Sequence, residues 1–345
     1  MTPAEAEAIT GLQHVAGAQG IQLPRAVTTL LGTSLLWSGG TPTHNSLTPG
    51  YPPVEYSFST WQPEEFRMAA QLFATVSAPE RLVRTVDLTC DLADRSPWAG
   101  SLRRVACAPL PSGPKRFGAF FGMTAAVEGL TGLETYLEAV EENELLTPLL
   151  PGPLRQALKP SLGPAFTGIG IRRGTVRRRA YLAVTRDLET PTLLRALGAC
   201  GPSGHLTDVL RSLGDVTKGR RVLPARTVMV TSADDDSTWS VELHAKSYGW
   251  DLGSLPGRLP RLRNAAFRRW TSAIGGRRAL ATVISIRFSQ EYGPGIAVYA
   301  VPAWARQPTS PASRPMACPP SSTESLRTLP VADPDVMWRA RNPAT

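Results

Sequence analysis

Polar and apolar residues separate onto alternate positions along Val54-Glu55-Tyr56-Ser57-Phe58-Ser59, the period-two signature of a half-buried strand. The same alternation returns in three hairpins. Thr167 to Ile171 and Val176 to Val184 flank a turn at Arg173-Gly174; Thr227 to Thr231 and Thr238 to Lys246 flank Ala233 to Asp236; Thr282 to Ser289 and Ile296 to Pro302 flank Glu291 to Gly295. A weaker pair spans Leu102 to Ala108 and Arg116 to Met123. Helical spacing marks Ala4 to Gly20, Leu133 to Leu146, Leu150 to Leu158, Pro191 to Leu197, Leu206 to Leu213 and Leu259 to Ile274. Pro24 to Trp37 is apolar without a decisive period. Residues 64–94 are mostly helical in pattern, although Phe66 to Val76 suits a strand partnering the 54–59 run equally well. Gly39 to Pro53 is a loop by composition.

The order is strand pair, helix pair, strand pair, repeated, which places the chain in the α+β class. Antiparallel hairpins with one apolar face bury that face when the hairpins join in a sheet covered on one side by the helices. The other face carries charge: Arg177, Arg179 and Tyr181 in one strand, Ser240, Glu242, His244 and Lys246 in the next, and in a third Val283, Ser285, Arg287 and Ser289, which oppose Thr282, Ile284, Ile286 and Phe288. An open sheet shows these residues to bulk water. A closed barrel of about ten strands turns them inward as an arginine-lined lumen. Residues 1–305 make up this single unit. Residues 306–345 form a Pro/Ser-rich tail, with eight prolines in the 39 residues from Gln307 to Thr345.

At 345 residues with 42% hydrophobic and 19% charged side chains, the chain can bury a sizeable core and is not a disordered tail. Its longest nearly apolar run, Phe117 to Val127, falls far short of the roughly 20 residues of a membrane span. Met1 to Glu5 lacks the charge and apolar run of a signal peptide, so a cytoplasmic location is expected. The four cysteines, at 90, 107, 200 and 318, contain no Cys-x-x-Cys pair. Net charge is +9, from 33 arginines and four lysines. That balance admits nucleic acid, an anionic membrane face or a phosphorylated small molecule as partner. The densest basic cluster, Arg172, Arg173, Arg177, Arg178 and Arg179, lies on strands and not on an exposed helix face, which ranks nucleic acid last.

Several chemistries fall away on spacing. Gly168, Gly170 and Gly174 imitate a dinucleotide fingerprint, but Arg173 takes the place of the last glycine and no βαβ unit surrounds it. No phosphate loop and no Gly-x-Ser-x-Gly elbow occur. Asp234-Asp235-Asp236 reads as a hairpin turn, because Thr238 stands where a magnesium-binding cluster needs an aspartate. His14, His44, His205 and His244 are too scattered for a metal site, so none is assigned.

Pro53-Val54-Glu55-Tyr56-Ser57-Phe58, the repeated hairpins, Arg179-Ala180-Tyr181 and the late Ile286-Arg287-Phe288 with Val298-Tyr299 resemble the aromatic prenyltransferases of the αββα barrel type. The first segment is similar to the indole and tryptophan (dimethylallyltryptophan synthase-like) branch. Lys115-Arg116 before Gly118-Ala119-Phe120-Phe121 is similar to the bacterial phenol and naphthol branch. The resemblance covers about residues 1–305. It implies a ten-stranded antiparallel barrel inside a ring of helices, with an allylic diphosphate and an electron-rich aromatic acceptor meeting in the lumen. The chain would then act as a monomer or weak homodimer on small molecules, with no nucleic-acid or membrane partner.

The reaction so implied is a Friedel–Crafts alkylation in secondary metabolism. Fixed cations must hold the departing diphosphate, and alternation offers Lys115, Arg177, Arg179 and Arg287. Tyrosine faces must shield the carbocation, and Tyr181 and Tyr299 sit on the lumen face. The family assigns orientation of the acceptor and removal of its proton to a carboxylate at the position of Glu55. Outside that context Glu55 is only a polar-face residue. The hairpin ending in Thr238 to Lys246 departs from the pattern, since Glu242 and His244 stand where a Lys or Arg and a Tyr are expected, and Lys246 or His244 must compensate. No cofactor is required; magnesium is compatible with the chemistry but not implied. The alternative is a non-catalytic or peptide-directed barrel that holds an anionic ligand.

Overall fold

The computed structural model describes residues 3–34, 47, 53–73, 75–93, 117–138, 152–158, 161–199, 206–217, 219–234, 238–244, 251–276, 279–289 and 291–302. The 102–108 segment, Lys115, Lys246 and the tail from residue 306 lie outside them. The strands that build the barrel are β1 (Val54–Ser59), β2 (Phe66–Ala70), β3 (Ala119–Ala126), β4 (Gly129–Glu138), β5 (Leu162–Arg172), β6 (Thr175–Val184), β9 (Val228–Ala233), β10 (Thr238–His244), β11 (Leu280–Ser289) and β12 (Gly293–Val301). All pairings are antiparallel, in the order β1-β12-β11-β10-β9-β6-β5-β4-β3-β2, and β1 bonds to both β12 and β2. The sheet therefore has no free edge. Two short strands, β7 (Leu188–Glu189) and β8 (Val222–Leu223), pair outside the barrel.

Helices α1 (Pro3–Ala18), α2 (Arg25–Ser34), α3 (Ala78–Leu92), α4 (Gly152–Leu158), α5 (Thr190–Gly198), α6 (Leu206–Thr217) and α7 (Ala265–Ala273) complete the fold. Local chemistry sets their starts: Ser77 accepts from the Glu80 amide ahead of Pro79 in α3, and Asn264 accepts from the Phe267 amide at 2.8 Å in α7. The main core lies between helices and barrel. Phe58 meets Phe267 at 5.2 Å and Trp270 at 5.9 Å between ring centroids, joining β1 to α7. Thr135 on β4 donates to Thr89 on α3 at 3.0 Å, and Thr89 in turn donates to the Thr85 carbonyl. Val54, Tyr56 and Phe58 belong to this outer core, so the alternate residues Glu55, Ser57 and Ser59 turn toward the lumen.

Three readings of the chain need correction, and one that was open is settled. Residues 133–138 are strand, not helix, and pair with β3. Leu133 and Leu137 are four apart and so satisfy a period of two as well as 3.6; Thr131, Thr135 and the tight turn before Gly129 favour the strand. The choice left open at Phe66 to Val76 is settled for strand over Phe66–Ala70, which is β2, between β1 and β3. The 259–274 segment is broken into a 3-10 turn, Pro260–Leu262, and α7, because Asn264 opens a new helix. Thr282 does not stay with Ile284, Ile286 and Phe288: the register slips between Ala281 and Val283, and this bulge re-aims Thr282.

Candidate active site

The register orders the lumen along the barrel axis. One end holds the β1–β2, β5–β6 and β11–β12 turns, with Trp61, Arg173 and a half-exposed Tyr292 around it. Just inside this mouth, arginines converge from four strands: Arg67 of β2, Arg172 of β5, Arg177 and Arg179 of β6, and Arg287 of β11. They border two adjoining cavities of about 150 and 60 Å³; Arg172, Arg177, Arg179 and Arg287 line both.

Carboxylates brace the cluster. Glu65, buried on the β1–β2 turn, accepts from Arg67 at 2.8 Å, Arg172 at 2.6 Å and Arg173 at 3.1 Å. Gln62 accepts from Arg67 and Arg172 as well. Burial and the neighbouring Arg172 and Arg287 push the Arg67 guanidinium down to about 9, with Glu65 opposing, so it stays cationic at neutral pH. Deeper in, Glu134 of β4 accepts from Arg179 at 3.3 Å and from the Tyr136 hydroxyl at 3.1 Å. It is this carboxylate above all that raises Arg179 further. Glu134 fits because β5 carries glycine opposite it: a Cβ on Gly168 would lie 2.5 Å from Glu134 Oε1, and one on Gly170 2.3 Å from the Leu133 carbonyl oxygen. The glycine spacing that imitates a nucleotide motif thus makes room in a barrel wall.

Below the arginines lie aromatic faces. Arg287 donates to the Tyr299 hydroxyl, and its guanidinium carbon sits 5.8 Å from that ring's centroid. Tyr181 stacks on Phe166 at 4.2 Å and meets Tyr136 edge-on at 5.7 Å; Phe117 stacks on Phe120 at 4.3 Å. With Met229 these form a second apolar cluster inside the barrel, separate from the outer core. Burial, first among the causes, pushes the Tyr136, Tyr181 and Tyr299 hydroxyls upward, so they remain neutral phenols.

Strands β1 and β10, each beside an arginine-bearing strand, carry further ionisable groups. Glu55 is 6% exposed, accepts a hydrogen bond from Thr282, and is pushed up to about 7, mainly by burial. Burial lifts Glu242 to about 6 against the pull of Arg287, Arg179 and Thr231. Burial also drops His244 to about 4, so it is neutral at physiological pH and adds no cation to the lumen.

Of the residues expected from sequence, Arg177, Arg179, Tyr181, Arg287 and Tyr299 line one or both cavities, while Glu55 of β1 and His244 of β10 are not among the residues lining either. Lys115 and Lys246 lie outside the described residues. Arg67, Arg172, Glu65, Glu134, Tyr136 and Thr282 were not foreseen. Arg67 and Tyr136 carried a signal, each being a polar position in an alternating run, but both runs were open to a helical reading. Among the described residues no three His, Cys, Asp or Glu side chains converge to hold a metal, and no helix is long and apolar enough to cross a membrane.

No family model matches the chain, and no curated protein does. Solved structures do. It is similar to 5-dimethylallyltryptophan synthase from Streptomyces coelicolor at 18% identity and a TM-score of 0.65, covering 87% of this chain and 97% of that one. It is similar to 6-dimethylallyltryptophan synthase from Micromonospora olivasterospora, solved with DMASPP and Trp, at 16% identity and a TM-score of 0.69, covering 88% and 99%. NotF, solved with brevianamide F and DMSPP, aligns at 13% identity and a TM-score of 0.52, covering 87% and 95%. The chain therefore carries the αββα prenyltransferase fold, a closed ten-stranded antiparallel barrel with its helices outside and its polar residues within.

Proposed function

We propose that the protein transfers an allylic group, dimethylallyl or geranyl, from its diphosphate to an electron-rich aromatic acceptor, an indole first and a phenol second. One observation carries this: arginines from four strands converge inside a closed barrel directly above tyrosine and phenylalanine faces. Such a gradient, cationic at the mouth and aromatic below, suits a ligand with an anionic head and a tail that becomes a carbocation. The donors and indole acceptors held by the similar structures support the choice of substrates.

In this reading the allylic C–O bond breaks and diphosphate leaves with the electron pair. Arg67, Arg172, Arg177, Arg179 and Arg287 stabilise the developing charge in a lumen that excludes bulk water. Tyr181 and Tyr299 face the allyl cation, their neutral rings attracting it without capturing it. A ring carbon of the acceptor supplies the π electrons for the new C–C bond, and the Glu55 carboxylate takes the proton that restores aromaticity. No step requires a metal. The test is incubation with dimethylallyl or geranyl diphosphate and a panel of indoles and phenols, read by mass spectrometry and diphosphate release. A prenylated product that vanishes in R179A supports the reading; no product across the panel, with ligand-induced stabilisation only, supports the non-catalytic alternative.

A further inference from the structure

The bulge on β11 has a use. In a regular strand side chains alternate, so Thr282 by parity belongs with Ile284, Ile286 and Phe288 against the helices. Pairing runs from Ala281–Ala300 to Val283–Tyr299, leaving Thr282 as the extra residue. Its hydroxyl donates to Glu55 Oε1, reaching past β12 to a strand with which β11 has no backbone pairing. The contact joins residues 227 apart in sequence. Ser285, also on the lumen face, instead accepts from Arg287 at 3.3 Å.

We propose that Thr282 is a positioning residue for Glu55: the bulge brings its hydroxyl to one carboxylate oxygen, fixing the group's orientation and leaving the other oxygen to receive the acceptor's proton. The inference rests on the proposed prenyl transfer for its meaning, though not for its test. A carboxylate this deeply buried needs a donor to stay ionised. The charged and titratable groups around Glu55 oppose or ignore that need. Glu242 from β10 repels it, Tyr299 from β12 is a neutral phenol, and His244 beside Val283 is neutral. Ala69, its partner on β2, brings no charge, while Arg67 on that strand is engaged by Glu65. Thr282, by contrast, donates to the carboxylate and favours its charged form.

The experiment is an infrared titration of the Glu55 carboxyl in the unliganded protein, taken as the difference between each protein and the same protein carrying E55Q. Burial, which pushes the group up to about 7, sets the midpoint expected for the wild type. T282V keeps the shape of the side chain and removes the donor, so its midpoint rises by roughly one pH unit or more; T282S restores the donor and the wild-type midpoint. T282A, which leaves space for water, checks the result should T282V misfold. If transfer occurs, kcat/KM at pH 7 falls about fivefold in T282V and recovers in T282S, the change expected when the carboxylate fraction drops from a half to about a tenth. An unmoved midpoint in folded T282V and T282A overturns the inference even if prenylation is confirmed. A shifted midpoint in a protein that never prenylates leaves Thr282 in place and removes the proposed function instead.

Discussion

Replacing Arg287 probes the cationic mouth at its most informative point. Arg287 lines both cavities, donates to the Tyr299 hydroxyl and to Ser285 at 3.3 Å, and is the foremost charge holding Glu242 down. Under the proposed function, R287A would remove one charge-assisted bond to the diphosphate, worth about 1.5–3 kcal/mol. That predicts a fall in kcat/KM for the donor of roughly 10- to 150-fold. Because the bond strengthens as charge builds on the leaving group, kcat falls with kcat/KM, and KM changes less. Glu242 moves above about 6 once its guanidinium neighbour is gone, so a larger share is protonated at pH 7 and the loss of positive charge is partly offset. R287K, a point charge without the planar fork, lies between. The assay is steady-state prenylation with varied dimethylallyl diphosphate at fixed acceptor, beside a thermal-unfolding control. R287A within twofold of wild type, in a folded protein, refutes the placement of the diphosphate at these arginines.

Glu55 is raised from 4.5 to about 7 on folding, so the folded chain binds its proton more tightly than the unfolded chain does. The resulting cost is absent below 4.5, grows as pH rises through this window and is complete above 7, on the order of 3 kcal/mol at most. E55Q should therefore gain stability relative to wild type between pH 5 and pH 8 while losing transfer, measurable by urea unfolding at both pH values; an equal difference at the two contradicts the burial argument. G170A drives a Cβ to within 2.3 Å of the Leu133 carbonyl oxygen and 2.8 Å of Glu134 Cα, so β4 and β5 must part. A loss of about 2 kcal/mol or more is expected by unfolding, with donor binding weakened through Arg179. Arg81 is 1% exposed and donates to the carbonyls of Phe73, Val76 and Phe117. R81M strands those acceptors and should cost roughly 3 kcal/mol or more of stability by the same assay, without shifting the pH profile of catalysis.

The strands with uninterrupted period-two alternation were legible from the chain because lumen and helix faces differ so sharply in chemistry. Val176 to Val184 and Thr238 to His244 show this best, and their alternation placed Arg179, Tyr181 and Glu242 on the lumen side. Where that contrast blurs, the reading failed. In Gly129–Glu138 the leucines fit two periods at once, which hid Glu134 and Tyr136. Arg172 and the exposed Arg173 stand together in one basic cluster, yet Glu65 from a distant turn draws Arg172 inward, a contact no local pattern contains. Thr282 was misplaced because a bulge breaks parity, and nothing in Ala281-Thr282-Val283 announces one. Closure itself is long-range, since β1 and β12 meet from opposite ends of the barrel's sequence.

A crystal structure with dimethylallyl thiolodiphosphate and an indole bound examines the central claim most directly. The expected complex has diphosphate oxygens within hydrogen-bonding distance of Arg179 and Arg287, the allyl carbon between the Tyr181 and Tyr299 rings, and the indole reaching toward Glu55. Diphosphate seated on the outer surface, or a lumen that stays empty at saturating ligand while product still forms, contradicts it.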